Sequence, residues 1–555
     1  MHNSLKVRIP SRGRLFCIVM AMHAAGSCSL HAQEDRDAKQ VRMQQGSLSA
    51  VFRSNETSPV ELSGIQTLIN TEDAPGVDAF DPDTKGASAG LNFEHIISGH
   101  KSPNNKFTPR HGPYRLHVVS KDTVKLIREA KDSPWLIDSE LEYKLVAPHY
   151  VDFHFRCIPR DASKFGERGY AIFFFAHYMN DVIDASLNFL GKTAVDQPVT
   201  WVTTDAPNEH ADWNGGGNYR SISADDLKYD DDVEFRLNTW SYDWPRIAKP
   251  FYFGKAEKNM TLILMFDRLH SRRDQIRFSM YKFKLTKWPR PAWDFQYVIN
   301  RVQKDQEYGF RGRLVWKKFV SQKDSEQEYE SWRKSLRDQH VKDLRRLGAV
   351  IFLKGEHVNE VNANGTRISD RQLEMVSEFA EMTDLSLEKT QISDVGLTHL
   401  SNLQKLEWLN LYRCPITDAG LVELKHLGNL QHLPIGASKV TDAGLVHLSE
   451  MRQLVYLGLR ANAVSDEGLV HLSELTKLQG LHLGETKITD AGLRHLKKMK
   501  KLKRLWLDQT DVTDACVVHL KALTSLVELH IAGTSLTDDG LGALRRAIPK
   551  CEVIR

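Results

Sequence analysis

The chain has 555 residues, enough for two or three domains. Its 75 Lys and Arg residues nearly balance its 71 Asp and Glu residues, and the net charge of +4 gives no support for nucleic-acid binding. The 6 cysteines are widely spaced and show neither a disulfide framework nor a metal-ligand pairing, so we predict no cofactor and no metal site.

The N-terminus has the layout of a signal peptide. Basic residues between positions 6 and 14 precede an apolar run at 15–26, which small residues follow. The run is shorter than the ~20 residues that span a bilayer. A signal peptide of residues 1–32 ends at Ala32, and the alternative is a lipoprotein cleavage box that would make Cys28 a lipid anchor. Both predict export to the periplasm, the cell envelope or the medium.

Residues 33–89 are polar and poor in pattern, which predicts a mostly disordered linker with one early strand near 60–68. From 90 to 320 aromatic residues become dense, and short alternating runs lie between turn residues. These runs predict strands at 114–119, 141–147, 151–157, 170–176, 251–253, 261–266, 276–283, 295–299 and 314–319. Many short strands separated by turns indicate an all-β sandwich.

Three motifs in this region carry a resemblance. PFYFG at 250–254, MFD at 265–267 and PAWDFQ at 291–296 resemble uncharacterised secreted bacterial proteins. The resemblance implies a fold similar to the galactose-mutarotase-like supersandwich, and a concanavalin-like jelly roll is the alternative. The charged segment 321–348 then carries a loose helical stripe, from Trp332 to Leu347, which predicts a connecting helix that shields the next domain.

Residues 349–555 contain a pattern that recurs every 24 residues, most clearly as LxxLxLxxTxIxDxGLxxLxxM at 478–499. Each Leu-x-Leu run predicts a short strand, and the following Asp predicts the N-cap of a helix, because Asp is a favoured capping residue. One copy buries almost nothing alone, so the copies must stack into a solenoid. The pattern resembles a leucine-rich repeat array, which implies a C-terminal α/β solenoid beside the all-β domain.

The side chains that alternate with the strand leucines are predicted to lie on the concave face of such an array. Aromatic residues and Arg are enriched at binding hot spots. We therefore predict a binding surface for a protein or glycan partner. Its residues are Trp408, Tyr412, His432, Tyr456, Arg460, His482, Arg504, Trp506 and His530.

The all-β domain also carries residue types suited to acid–base catalysis. Glu94 and His95 are adjacent, and His177 and Asp181 follow an apolar run. The galactose-mutarotase-like resemblance implies a His acid and a carboxylate base acting on a sugar. These residues are the candidates for those roles.

The favoured function is therefore an exported protein that binds a partner on the concave repeat face. The first alternative is a carbohydrate-active enzyme with its catalytic site in the β-sandwich. The second is an intracellular scaffold, because repeats with an Asp-Ala-Gly-Leu motif resemble those of ubiquitin-ligase substrate receptors. No F-box-like helical segment precedes the repeats in the sequence, which disfavours the scaffold.

Overall fold

The computed structural model describes residues 39–56, 61–80, 89–98, 110, 112–180, 182–183, 185–204, 215–224, 227–229, 241–271, 273–283 and 290–555. Residues 1–32, including Cys28, lie outside this range, and so does Asp181. None of the helices among the described residues is long and apolar enough to cross a membrane.

Up to Lys318 the described elements are strands, joined by short 3₁₀ turns. They are β1 (Gln40–Gln45), β2 (Leu48–Arg53), β3 (Gly64–Asn70), β4 (Asn92–Ser98), β5 (Arg115–Ser120), β6 (Thr123–Arg128), β7 (Ile137–Val146), β8 (Tyr150–Pro159), β9 (Ala171–Ala176), β10 (Leu187–Lys192), β11 (Thr200–Thr204), β12 (Gly215–Tyr219), β13 (Arg246–Ala256), β14 (Met260–Phe266), β15 (Asp274–Phe283), β16 (Arg290–Ile299) and β17 (Tyr308–Lys318).

The segment predicted as a linker contains β1, β2 and β3, which form an antiparallel sheet in that order. Every residue of β2 is buried, including Phe52 and Ala50. This segment therefore differs from the sequence expectation of a mostly disordered linker. The polar composition of the segment gives little sign of this sheet, because its few apolar residues are concentrated in one buried strand and in the strands beside it.

The strands from β4 to β17 form two antiparallel sheets with a common core. The large sheet has the order β11-β10-β13-β14-β17-β8-β7-β6-β5, and the small sheet has the order β12-β15-β16-β9-β4. Burial alternates along β8, as expected of a strand with one face in a core. Phe155 and Phe310 of the large sheet meet Phe175 and Phe295 of the small sheet, and the last two rings stack at 4.8 Å. The mutarotase-like subtype remains a prediction.

Helix α1 (Gln322–Arg346) joins the sheets to the repeats. Ser321 starts it by accepting a hydrogen bond from the Asp324 backbone N–H at 3.0 Å. Near its start, Tyr329 stacks on Phe251 of the large sheet with the ring centroids 5.1 Å apart. Near its end, Leu344 is fully buried in the core of the repeats. The helix thus belongs to both cores.

The repeat region consists of short strands alternating with short helices. Its strands are β18 (Val350–Lys354), β19 (His357–Asn362), β20 (Asp384–Ser386), β21 (Trp408–Asn410), β22 (His432–Pro434), β23 (Tyr456–Gly458), β24 (Gly480–His482), β25 (Arg504–Trp506), β26 (Glu528–His530) and β27 (Glu552–Ile554). Its α-helices are α2 (Asp370–Val376), α3 (Asp394–Leu397), α4 (Asp418–Leu424), α5 (Asp442–Leu445), α6 (Asp466–Leu469), α7 (Asp490–Leu493), α8 (Val517–Leu520) and α9 (Asp538–Ala547).

These strands form one sheet in chain order, antiparallel between β18 and β19 and parallel from β19 onward. Leu457 lies between Leu433 and Leu481 in the register, and all three are fully buried. The recurring leucines therefore stack into one core, as the 24-residue period predicts.

The role predicted for the aspartates is wrong in one respect. Thr441 is the N-cap of α5, and Asp442 is the first residue inside the helix. The Asp442 carboxylate instead reaches the next repeat, where it accepts hydrogen bonds from the Ser465 backbone N–H at 2.8 Å and the Ser465 hydroxyl at 2.6 Å. The same pair of bonds recurs from Asp370 to Asp514. Each aspartate thus fastens its own repeat to the following one.

The spacing between this aspartate and the repeat glycine is constant along the array because the aspartate carboxylate packs against the glycine of the following repeat. A Cβ added to Gly468 would lie 2.2 Å from Oδ1 of Asp442, and the repeat glycines from Gly396 to Gly540 have the equivalent contact at 1.8–2.4 Å. The carboxylate occupies the space that a side chain would need where an α-helix starts the repeat. In the repeat that starts with a 3₁₀ turn at Asp514–Cys516, Cys516 takes the glycine position and Asp490 still accepts both hydrogen bonds from Thr513, at 3.0 and 2.6 Å. The first helix has no preceding aspartate, and there Gln372 replaces glycine and accepts a hydrogen bond from the Ser369 N–H at 3.0 Å.

Candidate functional site

The nine predicted binding residues all lie on or beside the repeat strands, at positions that alternate with the buried leucines. Around β21, for example, Leu409 and Leu411 are fully buried, Trp408 is 38% exposed, and Tyr412 is half-buried. Alternation along each strand therefore places the leucines in the core and the polar and aromatic residues on the opposite face of the repeat sheet. We call this the concave face.

Aromatic rings from neighbouring repeats stack along the concave face. Trp408 stacks on His432 of the next repeat, with the ring centroids 4.8 Å apart and the planes at 23°. Further along, Trp506 lies between His482 at 5.3 Å and His530 at 5.4 Å, again nearly parallel. Tyr456 meets the edge of Trp506 at 6.2 Å and 77°. Tyr456, His482, Trp506 and His530 are called the aromatic patch below.

Glycines beside these rings allow them to approach the backbone of the sheet closely. A Cβ at Gly480 would come within 2.8 Å of the Tyr456 ring, and a Cβ at Gly436 would come within 3.2 Å of the Tyr412 ring. Both glycines are buried. The rings of the preceding repeats therefore fill the space that side chains at these positions would need. The result is an aromatic surface whose rings pack against the sheet and against one another.

The aromatic patch is close to neutral. Burial lowers the pKa of His482 to about 4, with the charge of Arg460 adding to the shift. Its Nδ1 accepts a hydrogen bond from the Gly484 N–H at 3.2 Å, which requires that this nitrogen be unprotonated. Arg460 pairs with Glu485 of the next repeat, with Nε 2.7 Å from Oε1. The arginine charge at this edge is therefore balanced within the protein.

Arg504 at the other edge has a weaker partner. Its Nε lies 3.4 Å from Oε2 of Glu528, and its side chain is 60% exposed. His432, which stacks on Trp408, has its pKa lowered by burial. The concave face thus combines a largely uncharged surface of stacked rings with exposed ion pairs at its margin. This is the distribution expected of a protein-binding surface with an apolar centre and a polar rim.

Two of the predicted catalytic residues form a buried polar cluster at the small sheet. Glu94 and His95 are 3% and 2% exposed, and Nδ1 of His95 lies 3.3 Å from Oε2 of Glu94. Oε1 of Glu94 accepts hydrogen bonds from Arg110 at 2.5 Å and from the Tyr178 hydroxyl at 2.6 Å. Burial alone would raise the pKa of Glu94, but His95, Arg110 and Tyr178 outweigh it and hold that pKa below its usual value.

The third predicted catalytic residue lies elsewhere. The His177 ring is fully buried between Phe80 at 6.3 Å and Phe295 at 5.7 Å, in the core between the sheets. Burial lowers its pKa to about 3. His95 instead stacks on Phe174, which belongs to a separate apolar cluster of the small sheet. The structure therefore brings Glu94 and His95 together but not His177.

A further carboxyl at this cluster was missed in the sequence. Asp294 is 1% exposed and accepts a hydrogen bond from the His177 backbone N–H at 2.7 Å. Burial raises its pKa well above the usual range, and the charge of Glu94 adds to the shift. The alternation of β16 could have indicated it, because Asp294 and Gln296 interrupt an apolar strand on the face opposite Phe295.

Comparison with known proteins concerns the repeats. Residues 522–544 match the family model for a leucine rich repeat. The C-terminal region has a leucine-rich repeat fold. No curated protein matches the sequence.

Among solved structures, the chain is similar to internalin C2 from Listeria monocytogenes, with 25% identity, coverage of 34% of this chain and 77% of that one, and a TM-score of 0.29. It is also similar to an internalin, inlF, of the same organism, with 18% identity, coverage of 33% and 69%, and a TM-score of 0.23. A third is the ectodomain of the Arabidopsis thaliana receptor kinase GASSHO1/SCHENGEN3, with 18% identity, coverage of 37% of this chain but only 25% of that one, and a TM-score of 0.27.

Proposed function

We propose that this protein is an exported binding protein whose leucine-rich repeats hold a protein partner on the concave face. The observation that carries the proposal is the aromatic patch, a run of stacked rings fixed over buried glycines. Large aromatic side chains dominate binding energy at interfaces. Rings that are already ordered lose little conformational entropy when a partner binds. The basic and apolar N-terminal pattern supports placing this binding outside the cytoplasm.

The partner that suits this surface presents apolar side chains with a few charges around them. The histidine of the patch with a lowered pKa, His482, is neutral at pH 7, so the centre of the patch does not select for an anion. Arg504 and Glu528 at the margin offer both signs of charge. A protein segment satisfies both conditions. A glycan that stacks on Trp506 is the other outcome that the test below can distinguish.

Photo-crosslinking identifies the partner and tests the face together. We place a benzophenone amino acid at Tyr456 on the concave face, or at Val446, which is 44% exposed on the helix side, in the full chain in its native host. We expect a discrete protein adduct from position 456 and none from position 446. Adducts of equal yield at both positions, or a purely glycan adduct at 456, contradict the proposal.

Trp506→Ala is expected to weaken binding of that partner by about 30-fold or more, since removal of a central aromatic anchor costs ~2 kcal/mol or more. Isothermal titration of the purified partner with the full chain measures the change. Val446→Ala, which removes an exposed apolar side chain from the other side, is the matched control and should leave the affinity unchanged. Equal affinities of Trp506→Ala and the parent chain would remove the aromatic patch from the proposal.

We propose a second candidate function, acid–base chemistry on a carbohydrate at the small sheet. It is supported by the buried cluster in which Glu94 contacts His95 at 3.3 Å and Arg110 at 2.5 Å, and by a further buried carboxyl, Asp294. The pKa of Glu94 lies below its usual value and that of Asp294 above it. Such a pair supplies an ionised base and a protonated acid at the same pH. Tyr178 and Arg110 would hold the base in place. His177 and Asp181 are not needed for this version.

Loss of a general base lowers a rate by about 100-fold or more. We expect that Glu94→Gln lowers any glycan-modifying rate of the full chain by that factor, measured by mass spectrometry across a glycan panel. Glu140→Gln is the control, because Glu140 is partly exposed and pairs with Lys125 on the large sheet. A parent chain without activity on the panel, or an active Glu94→Gln variant, counts against this function.

A further inference from the structure

A cavity of about 310 Å³ lies between the large sheet and the first two repeats. One wall comes from β8, from the turn that leads into β15 and from the start of β17. The other wall comes from α2 and from the 3₁₀ turn at Thr398–Asn402, on the helix side of the repeats. Its volume is at the lower end of the range for small-molecule sites, and such sites often form where domains meet.

Two arginines of the wall formed by the sheets have no carboxylate partner within 4 Å among the described residues. Arg156 contacts only the ring nitrogens of His154, at 3.2 and 3.4 Å. Arg273 lies over the Tyr308 ring at 5.9 Å, and its buried Nη1 has no hydrogen-bond partner in the described part of the chain. A buried guanidinium N–H without an acceptor costs free energy. Both arginines line the cavity, and neither has an ion pair among the described residues.

Two of the four carboxylates that line the cavity are already engaged. Asp274 accepts hydrogen bonds from Tyr297 at 2.7 Å and pairs with Arg268 at 3.3 Å. Asp370 holds Ser393 of the next repeat through both carboxylate oxygens. Their negative charge is thus directed at protein groups rather than at the cavity.

Two other carboxylates line the cavity. Glu374 lies 3.9 Å from Arg311, and Glu307 is exposed at the rim. Among the described residues that line the cavity, Arg156 and Arg273 of the sheet wall have no ion pair, and Glu307 is the carboxylate at the rim without one.

One histidine in each wall has a pKa that depends on the charges around the cavity. The pKa of His154 is lowered to about 3 by burial and then by Arg156, Arg311 and Arg268. On the opposite wall the pKa of His399 is lowered to about 4 by burial and then by Arg273 and Arg268. Burial is the main cause in both cases, and nearby arginines add to it, while Asp370 and Asp274 act in the opposite direction on His399.

We propose that this cavity binds a small oxyanion ligand, with Arg156 and Arg273 as its main donors. The volume suits an acidic monosaccharide, a sugar sulfate or a sugar phosphate. A bound ligand contacts both the large sheet and the first two repeats, and so it stabilises their docking. This site is separate from the concave face, and neither depends on the other.

The test is calorimetric titration of the full chain with sodium sulfate, sodium phosphate and sodium glucuronate at constant ionic strength. We expect saturable binding of at least one of these, with the preference showing whether the natural group is a sulfate, a phosphate or a carboxylate. Arg273→Gln should weaken that binding at least 10-fold. Arg452→Gln, which removes the same charge from an exposed site on the repeats, is the control and should bind like the parent chain.

A second variant keeps the test decisive if Arg273→Gln folds poorly. Glu307 is exposed at the rim, so Glu307→Gln should leave the fold intact and tighten binding about two- to five-fold by removing a repelling charge. Absence of saturable heat with all three anions overturns the proposal. So does unchanged or weaker binding in Glu307→Gln, or parent-like binding in Arg273→Gln.

Discussion

Replacing Gly468 by alanine is expected to destabilise the repeats by about 3 kcal/mol, a large effect for one methyl group on a helix surface. The added Cβ would lie 2.2 Å from Oδ1 of Asp442 and 2.9 Å from a methyl group of Leu445. Asp490 keeps both of its bonds beside Cys516, but that repeat starts with a 3₁₀ turn. In the α-helix that starts at Asp466 we expect the carboxylate to move and to lose its hydrogen bonds to the backbone and hydroxyl of Ser465. Hydrogen bonds to a charged group contribute about 1.5–3 kcal/mol each.

A double-mutant cycle tests that cause. Asp442→Ala alone loses the same bonds, so adding Gly468→Ala to it should cost little more, with a coupling free energy of about 2–3 kcal/mol. Gly428→Ala is the matched control, because a Cβ there meets nothing within 4 Å, and its effect should stay within about 1 kcal/mol. Urea unfolding and hydrogen exchange of α5 and α6 measure the changes. Additive effects of the two substitutions would show that the carboxylate is not what excludes the side chain.

The second large effect concerns pH and the contact between α1, β17 and the first repeat. Glu378 follows α2 and its side chain is 11% exposed, and its removal from water raises its pKa to about 7 despite the nearby Arg333 and Arg311. The ordinary pKa is 4.5, so between about 4.5 and 7 the folded state binds a proton that the unfolded state does not. Stability from this group is therefore present below pH 4.5 and is lost as pH rises through 7.

Two arginines and a histidine surround Glu378. Arg311 of β17 lies 3.2 Å from Oε1, and Arg333 and His340 of α1 lie 3.4 and 3.5 Å from Oε2. Asp267, which follows β14, adds a negative charge and raises the pKa of Glu378 further. His340 has the opposite effect on the pH dependence of stability. Burial lowers its pKa from 6.5 to about 4, so its contribution to stability increases as pH rises from 4 to 6.5.

The contribution of His340 cancels when the free energy of unfolding of Glu378→Gln is subtracted from that of the parent chain at each pH. Gln cannot titrate, so the parent chain should lose up to about 3 kcal/mol relative to this variant between pH 4.5 and 8, at ~1.4 kcal/mol per pKa unit. Urea midpoints measured across that range test the result. Glu356→Gln is the control, because Glu356 is exposed and pairs with Lys334 of α1 at 3.0 Å. The difference curve of this variant should stay flat above pH 5. A flat curve for Glu378→Gln would contradict the expectation.

The stacking of the repeats was predictable because it depends on a period. Leu457 and its equivalents recur every 24 residues, and only parallel strands in register bury all of them. The period cannot show contacts between repeats, which is why Asp442 was interpreted as a cap of its own helix. The joint recurrence of Asp and Gly was the available signal, since Gly468 follows Asp442 at a spacing longer than one repeat.

In the candidate sites too, the pattern along one strand could be predicted from the sequence, whereas contacts between side chains of different strands could not. Alternation along a strand places Trp506 and Tyr456 on one face, and this could be predicted from two residues in the sequence. It does not show that the Tyr456 ring lies over Gly480, because that depends on side-chain direction across repeats. In the small sheet, Glu94 and His95 are neighbours in the chain, whereas His177 lies in the core because it continues the alternation of Phe173 and Phe175.

The link from each aspartate to the following Ser or Thr has a direction, and this bears on how the array can change length. A 24-residue unit brings one acceptor for its successor and one hydroxyl for its predecessor, with a glycine at the junction in all of these units except the one that has Cys516. Duplication or deletion of complete units therefore leaves the acceptor and the hydroxyl matched at each internal junction, wherever the breakpoints fall. Gain or loss of any other length would leave one carboxylate facing the wrong partner, so recombination between copies is a route by which the concave face could become longer or shorter.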